Sequence, residues 1–144
     1  MDLKILISKD EKVRNDAYKV RVSVFVDEQG FRDEFDEIDG YAYHVAAYDG
    51  DKVIGCGRFF AESDEKEYHI GRIAVLSEYR GMDIGSAVMA EIERYCAELG
   101  VESVVLSAQR RARGFYEKLG YTAFGEEYLD EGYPHISMNK KILV

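Results

Sequence analysis

The stretch Ile70-Gly71-Arg72-Ile73-Ala74-Val75-Leu76-Ser77-Glu78-Tyr79-Arg80-Gly81-Met82-Asp83-Ile84-Gly85-Ser86 constrains the fold more than any other part of the chain. A strand-like run ends at Val75, a short loop carries a cation at Arg80 with glycines at Gly81 and Gly85, and a helical pattern begins at Ile84. Glycine lets backbone come close to a ligand, and a helix start presents unpaired N–H groups together with the positive end of its dipole. Strand, loop and helix start together make a site for an anion. Glycine spacing alone also describes an ordinary tight turn into a helix.

The helix that follows is clearly marked. Ile84, Val88, Ile92, Tyr95 and Leu99 recur at helical intervals, and Gly100 stands where a left-handed C-cap belongs. Val101 to Ser107 reads as a buried strand, and Ala112, Phe115, Tyr116 and Leu119 form the stripe of a second helix closed by Gly120. Upstream, Met1 to Ser8 reads as a first strand. Ser8 and Glu11 have the spacing of a capping box, and Val13, Ala17, Val20 and Val24 predict a helix from about Lys9 to Phe25. Asp49-Gly50 divides Tyr43 to Phe60 into a hairpin, and Glu62 to Glu67 turns the chain into a strand from Tyr68 to Val75. A last pair of strands runs from about Tyr121 to Tyr128 and from His135 to Lys140, with Pro134 just ahead of the second, where a missing donor is tolerated. With no internal repeat and no linker, this order predicts one mixed α/β (α+β) domain over residues 1–144.

Composition narrows the function classes. A formal charge of −9 and a pI of about 4.9 repel nucleic-acid phosphates. No apolar run approaches the ~20 residues needed to span a bilayer, and Met1 to Ser8 lacks the apolar run and cleavage site of a secretory signal. The expectation is a cytoplasmic protein that binds neither membrane nor nucleic acid. Cys56 and Cys96 stand far apart without a His cluster, so neither a disulfide framework nor a metal site is expected. Asp27, Glu28, Asp33, Glu34, Asp36, Glu37 and Asp39 crowd into one segment relieved only by Arg32, a polar loop or short helical turn. Its carboxylates would attract a cationic partner; net negative charge can equally serve solubility alone.

The chain resembles the GNAT (Gcn5-related) N-acetyltransferases, in particular their small single-domain bacterial members. Their loop has the form Arg/Gln-x-x-Gly-x-Gly/Ala, and Arg80 and Gly85 match its first and last positions, with Asp83 where the first Gly usually stands. Ile73-Ala74-Val75, the helix ending in Leu99-Gly100, the strand Val104 to Ser107 and Ala112-x-x-Phe115-Tyr116-Glu117-x-x-Gly120-Tyr121 look like the family's other landmarks in order. Val24-Phe25-Val26-Asp27-Glu28-Gln29-Gly30, with Asp36, Asp39 and His44 after it, is similar to the bacterial group.

The resemblance implies a central, mostly antiparallel twisted sheet of about six to seven strands flanked by helices. It implies acetyl-CoA as co-substrate, no metal, and direct transfer of the acetyl group to a primary amine of a small molecule or peptide. Arg80, Gly81, Met82, Asp83, Ile84, Gly85 and Ser86 would hold the pyrophosphate, and the backbone at Ile73, Ala74 and Val75 would hold the pantetheine arm and polarise the thioester. Gln109 would touch the pantetheine, and Tyr116 would protonate the departing thiolate. A phenol with a pKa near 10 is protonated at neutral pH and suits that role, although Tyr116 equally suits the packing stripe of its helix. Arg110, Arg111 and Arg113 would neighbour the nucleotide phosphates or form a solvated basic face. Glu28, Asp39, His44, His69 and His135 are the candidate bases, and the resemblance does not choose among them. The acidic segment lies where family members form part of the acceptor cleft, which would favour a cationic amine. A homodimer is compatible with this reading. The alternatives are an acyl-CoA-binding sensor without turnover and an acyltransferase with another donor or acceptor.

Overall fold

The computed structural model describes residues 1–142, so the last two residues of the expected domain lie outside it. Seven strands form one sheet: β1 (Leu3–Ser8), β2 (Tyr43–Asp49), β3 (Lys52–Ala61), β4 (Glu67–Val75), β5 (Ser103–Gln109), β6 (Thr122–Asp130) and β7 (Tyr133–Lys141). Their spatial order is β1-β2-β3-β4-β5-β7-β6, and every neighbouring pair is antiparallel except β4 and β5. Three α-helices flank the sheet: α1 (Glu11–Arg21), α2 (Ile84–Glu98) and α3 (Arg113–Lys118). The mixed, mostly antiparallel architecture matches the expectation.

Helix packing on the two faces follows from the apolar stripes. Ala17, Val20 and Val24 pack with Cys56 and Ala74 on one face, while Ile84, Val88 and Ile92 pack with Val45, Phe59 and Ile70 on the other. Covered from both sides, β2 and β3 are buried along nearly their whole length.

The first helix differs from expectation at both ends. Asp10, not Ser8, is the N-cap; its carboxylate accepts the Val13 N–H at 3.0 Å, while the Ser8 hydroxyl accepts the Asp10 N–H at 2.9 Å. A carboxylate two residues later thus takes the orphan donor of the first turn, and the serine hydroxyl takes the N–H of the cap itself. At its other end α1 gives way after Arg21 to a π-helical turn, Val22–Glu28, in which Val24 and Phe25 are both buried. Such wide turns are rare and cluster at functional sites. Pro134 lies inside β7 rather than ahead of it. Pairing of β5 with β7 begins at Gln109 and His135, so the proline sits beyond the end of β5 and interrupts no bond to it.

Two departures from regular pairing create an opening. Strands β4 and β5 pair only from Glu67 opposite Ser103 to Ile70 opposite Leu106, yet β4 continues to Val75 and β5 to Gln109. Their ends therefore diverge. In the same stretch β4 carries a bulge against β3: Arg58 faces Gly71 and Cys56 faces Ala74, so three steps of β4 oppose two of β3. Arg72 absorbs the extra residue at φ +55°. Ile70 and Ala74, four apart, would share a face in a regular strand; here Ile70 packs under α2 and Ala74 under α1.

Candidate active site

The divergence opens a cleft of about 930 Å³ that runs between β4 and β5 from the N-terminus of α2 to the acidic segment. Beyond Ile70 the edge of β4 that faces β5 has no strand partner, so backbone groups of residues 71–75 open onto this cleft. Ile73, Ala74, Val75, Arg80, Gly81, Asp83, Ile84, Gly85, Ser86 and Gln109 all line it. Met82 does not; its side chain stands out in solvent.

The donor-loop geometry follows from two left-handed residues, Gly81 at φ +82° and Asp83 at φ +61°. Asp is among the few side chains that adopt this region, which explains how it replaces a glycine here. Asp83 is the N-cap of α2, yet its side chain makes no capping bond, and the first-turn N–H groups are left for an external acceptor. Gly85 has a packing reason as well: a Cβ there would stand 3.2 Å from Cζ of Phe115. Arg80 is already engaged. Its Nη1 and Nη2 donate to the two carboxylate oxygens of Glu28 at 2.6 and 2.7 Å, and its Nε donates to the Val75 carbonyl at 3.1 Å. These bonds hold the Glu28 carboxyl below its ordinary range and raise the Arg80 guanidinium.

Tyr116, on α3, lines the cleft and is 9% exposed. Burial pushes its phenol above the usual range. Across the cleft, Gln109 donates to the side chain of Gln29 at 2.9 Å, and the Tyr133 hydroxyl donates to the Gln29 carbonyl at 3.0 Å. The segment after the π turn is thus tied to the β5–β7 side. Of the three arginines near α3, Arg110 pairs with Glu127 and Arg113 with Glu117, while Arg111 reaches the cleft.

The five candidate bases separate. Glu28, His69 and His135 line the cleft; Asp39 and His44 do not. Asp39 sits in a buried ion cluster that the sequence reading missed. Arg21 bonds Glu34 at 2.8 Å and Asp39 at 2.7 Å, Arg58 bonds Asp36 at 2.7 Å and Asp39 at 2.9 Å, and Arg72 meets Glu34 at 2.9 Å. Burial opposes ionisation of Asp39, but the hydrogen bonds from Arg21 outweigh it and hold the carboxyl at about 2, far too acidic to take a proton from an amine. His44, its imidazole lowered by burial, has Nε2 2.9 Å from the Asp39 carbonyl. The acidic segment is thus divided: Glu34, Asp36 and Asp39 are matched by three guanidiniums, while Asp27, Asp33 and Glu37 are exposed to solvent. One signal was available, since Arg21 falls four residues after Ala17 on the apolar stripe of α1. A cation placed there needs carboxylate partners.

The two remaining histidines differ. His69 has Nε2 3.0 Å from Glu62 and stacks on Phe60. His135 has Nδ1 2.8 Å from the Tyr133 carbonyl, and a carbonyl only accepts, so the neutral ring carries its proton on Nδ1 and keeps Nε2 as an acceptor.

Comparison with known proteins adds the following. Residues 9–142 match the family model described as an acetyltransferase (GNAT) domain. The uncharacterized N-acetyltransferase YjcF of Bacillus subtilis is 37% identical over 141 residues, covering 96% of this chain and 99% of its own. Among solved structures, a Lactobacillus plantarum protein assigned to the N-acetyltransferases superposes with a TM-score of 0.91 at 28% identity, over 99% of this chain and 100% of the other. An acyl-CoA N-acyltransferase from Pseudomonas aeruginosa gives 0.84 at 26% identity, over 96% of this chain and 99% of the other.

Proposed function

This chain belongs to the GNAT acetyltransferase family, and on that premise we propose that it moves the acetyl group of acetyl-CoA directly to a primary amine of a small molecule or peptide. That it is an acyltransferase follows from the family; the donor, the acceptor and the direct route are the proposal. The observation that carries it is the cleft between β4 and β5, with the uncapped start of α2 at one end and both Tyr116 and the bulged edge of β4 among its lining. The diphosphate would lie on the N–H groups of residues 83–86 and the pantetheine along the free edge of residues 71–75. Backbone donors there would stabilise the oxyanion that forms as nitrogen attacks the thioester.

The amine nitrogen bonds to the acetyl carbon, the carbon–sulfur bond breaks, the thiolate takes its proton from Tyr116, and the proton that the new amide nitrogen sheds restores the phenol by way of solvent. A lysine-like ammonium must first lose a proton, at a cost of about 4 to 5 kcal/mol at pH 7. Glu28, His69 and His135 line the cleft and are the candidates to receive it; each neutral histidine keeps one ring lone pair, Nδ1 in His69, whose Nε2 faces Glu62, and Nε2 in His135. A cytoplasmic setting suits the buried free thiols Cys56 and Cys96. Thiol release from acetyl-CoA with a panel of polyamines, amino acids, amino sugars and peptides tests the reading. Turnover with an amine supports it; binding of acetyl-CoA with no turnover for any amine would replace it with the sensor reading.

A further inference from the structure

We propose that Glu28 is a built-in counter-anion of the donor site, holding the Arg80 guanidinium until the diphosphate of acetyl-CoA displaces it. The inference rests on the donor assignment above. A guanidinium grips a phosphate through the same pair of parallel N–H groups with which it grips a carboxylate. In Arg80 one N–H of each terminal nitrogen is given to Glu28 and the Nε–H to the Val75 carbonyl, three of its five donors, including the parallel pair that would grip a phosphate. The one cation at the head of the loop is therefore neutralised and its fork filled by an anion of matching shape.

The pair is suited to exchange. Its side chains are 43% and 41% exposed, and an ion pair so open to water contributes little to stability. Glu28 arrives from far along the chain, at the end of the π turn, while the next residue, Gln29, is fixed by Gln109 and Tyr133. Release thus needs only rotation of one side chain about a held backbone. The diphosphate, once bound to the open N–H groups of α2, would bring further anionic oxygens to the fork, and like charges repel Glu28 from it.

The sign of one affinity change tests this. In Glu28→Gln, a substitution of the same shape at an exposed position, calorimetry should show acetyl-CoA binding about tenfold tighter, or about 1.4 kcal/mol. Binding of pantetheine, which lacks the diphosphate, should not change, and the gain should vanish when Arg80→Gln is added. Weaker acetyl-CoA binding in Glu28→Gln would mean that the carboxylate positions Arg80 for the ligand, and unchanged binding that it is a bystander; either overturns the proposal, as does equal tightening of pantetheine or a gain that survives Arg80→Gln. If neither the unmodified protein nor the variant binds acetyl-CoA, the donor assignment falls and this inference with it.

Discussion

At the scale of single residues, a proton donor to a leaving thiolate must keep its proton across the working pH range. Tyr116 meets that condition because burial raises its phenol. Tyr116→Phe should lower kcat about 10²- to 10⁴-fold with the affinity for acetyl-CoA unchanged, a split that kinetics and calorimetry together read. In the unmodified enzyme the rate should climb with amine deprotonation and show no descending limb below about pH 10. Asp83 makes the opposite kind of prediction. A carboxylate about 6 Å from a phosphate charge costs roughly 0.7 kcal/mol at water-like dielectric and near 3 at an effective value of 20, about threefold to a hundredfold in affinity. Asp83→Asn removes the charge but keeps a side chain that accepts φ +61°, so acetyl-CoA should bind more tightly while the melting temperature stays put. Asp83→Gly should tighten binding in the same way with little change in stability, since relief of the left-handed conformation is offset by the greater freedom of glycine in the unfolded chain. Unchanged affinity in Asp83→Asn would show the carboxylate turned to solvent and refute the electrostatic reading.

At the scale of elements, the bulge in β4 decides where the cleft opens, and β3 makes room for it. A Cβ on Gly57 would stand 2.8 Å from Cδ1 of Ile73 and 3.4 and 3.5 Å from Ile92 and Val88, so the end of the Ile73 side chain must leave its present position. Gly57→Ala should therefore destabilise the fold by about 1 to 3 kcal/mol in urea. It should also depress kcat/KM at temperatures where the variant is still folded, since Ile73 belongs to the bulged edge. If activity per folded molecule is unaffected, the register of the bulge is not what sets the site. The elements readable from sequence are those fixed by local chemistry: the period of Ile84, Val88 and Ile92 closed by Gly100 at φ +83°, and the hairpin at Gly50 at φ +60°. The donor loop is readable for the same reason. The bulge is not, because the left-handed residue is Arg72 rather than the adjacent Gly71 and the extra residue exists only relative to the register of β3. Asp39 reads as a candidate base because its partners, Arg21 and Arg58, lie in other elements and only packing brings them together, and His44 because its bond to the Asp39 carbonyl is likewise invisible in the sequence.

At the scale of the molecule, the buried ion cluster ties α1, the acidic segment, β3 and β4 into the wall of the cleft. Three guanidiniums against three carboxylates leave that wall close to neutral in a chain of net charge −9. Buried pairs of this kind are costly to break, since removing one partner strands the others without water. Asp39→Asn should accordingly cost about 3 to 5 kcal/mol at neutral pH. Its carboxyl titrates at about 2 when folded against an ordinary value of 3.8, so the native state holds the proton less tightly than the unfolded chain does. The stability this provides, about 2 kcal/mol, is fully present above pH 4 and is lost as the pH falls toward 2. Glu34 acts in the other direction: burial raises its carboxyl, so the native state takes up that proton first and acidification relieves a strain rather than adding one. The two residues act in separate windows, Glu34 above pH 4.5 and Asp39 below pH 4, so their opposed contributions can be read apart. Urea unfolding at a series of pH values between 7 and 2 should show Asp39→Asn with a flatter fall below pH 4 than the unmodified protein, and Glu34→Gln without the gain in stability that Glu34 supplies as the pH falls toward 4.5; parallel curves for all three would place the acid sensitivity outside the cluster.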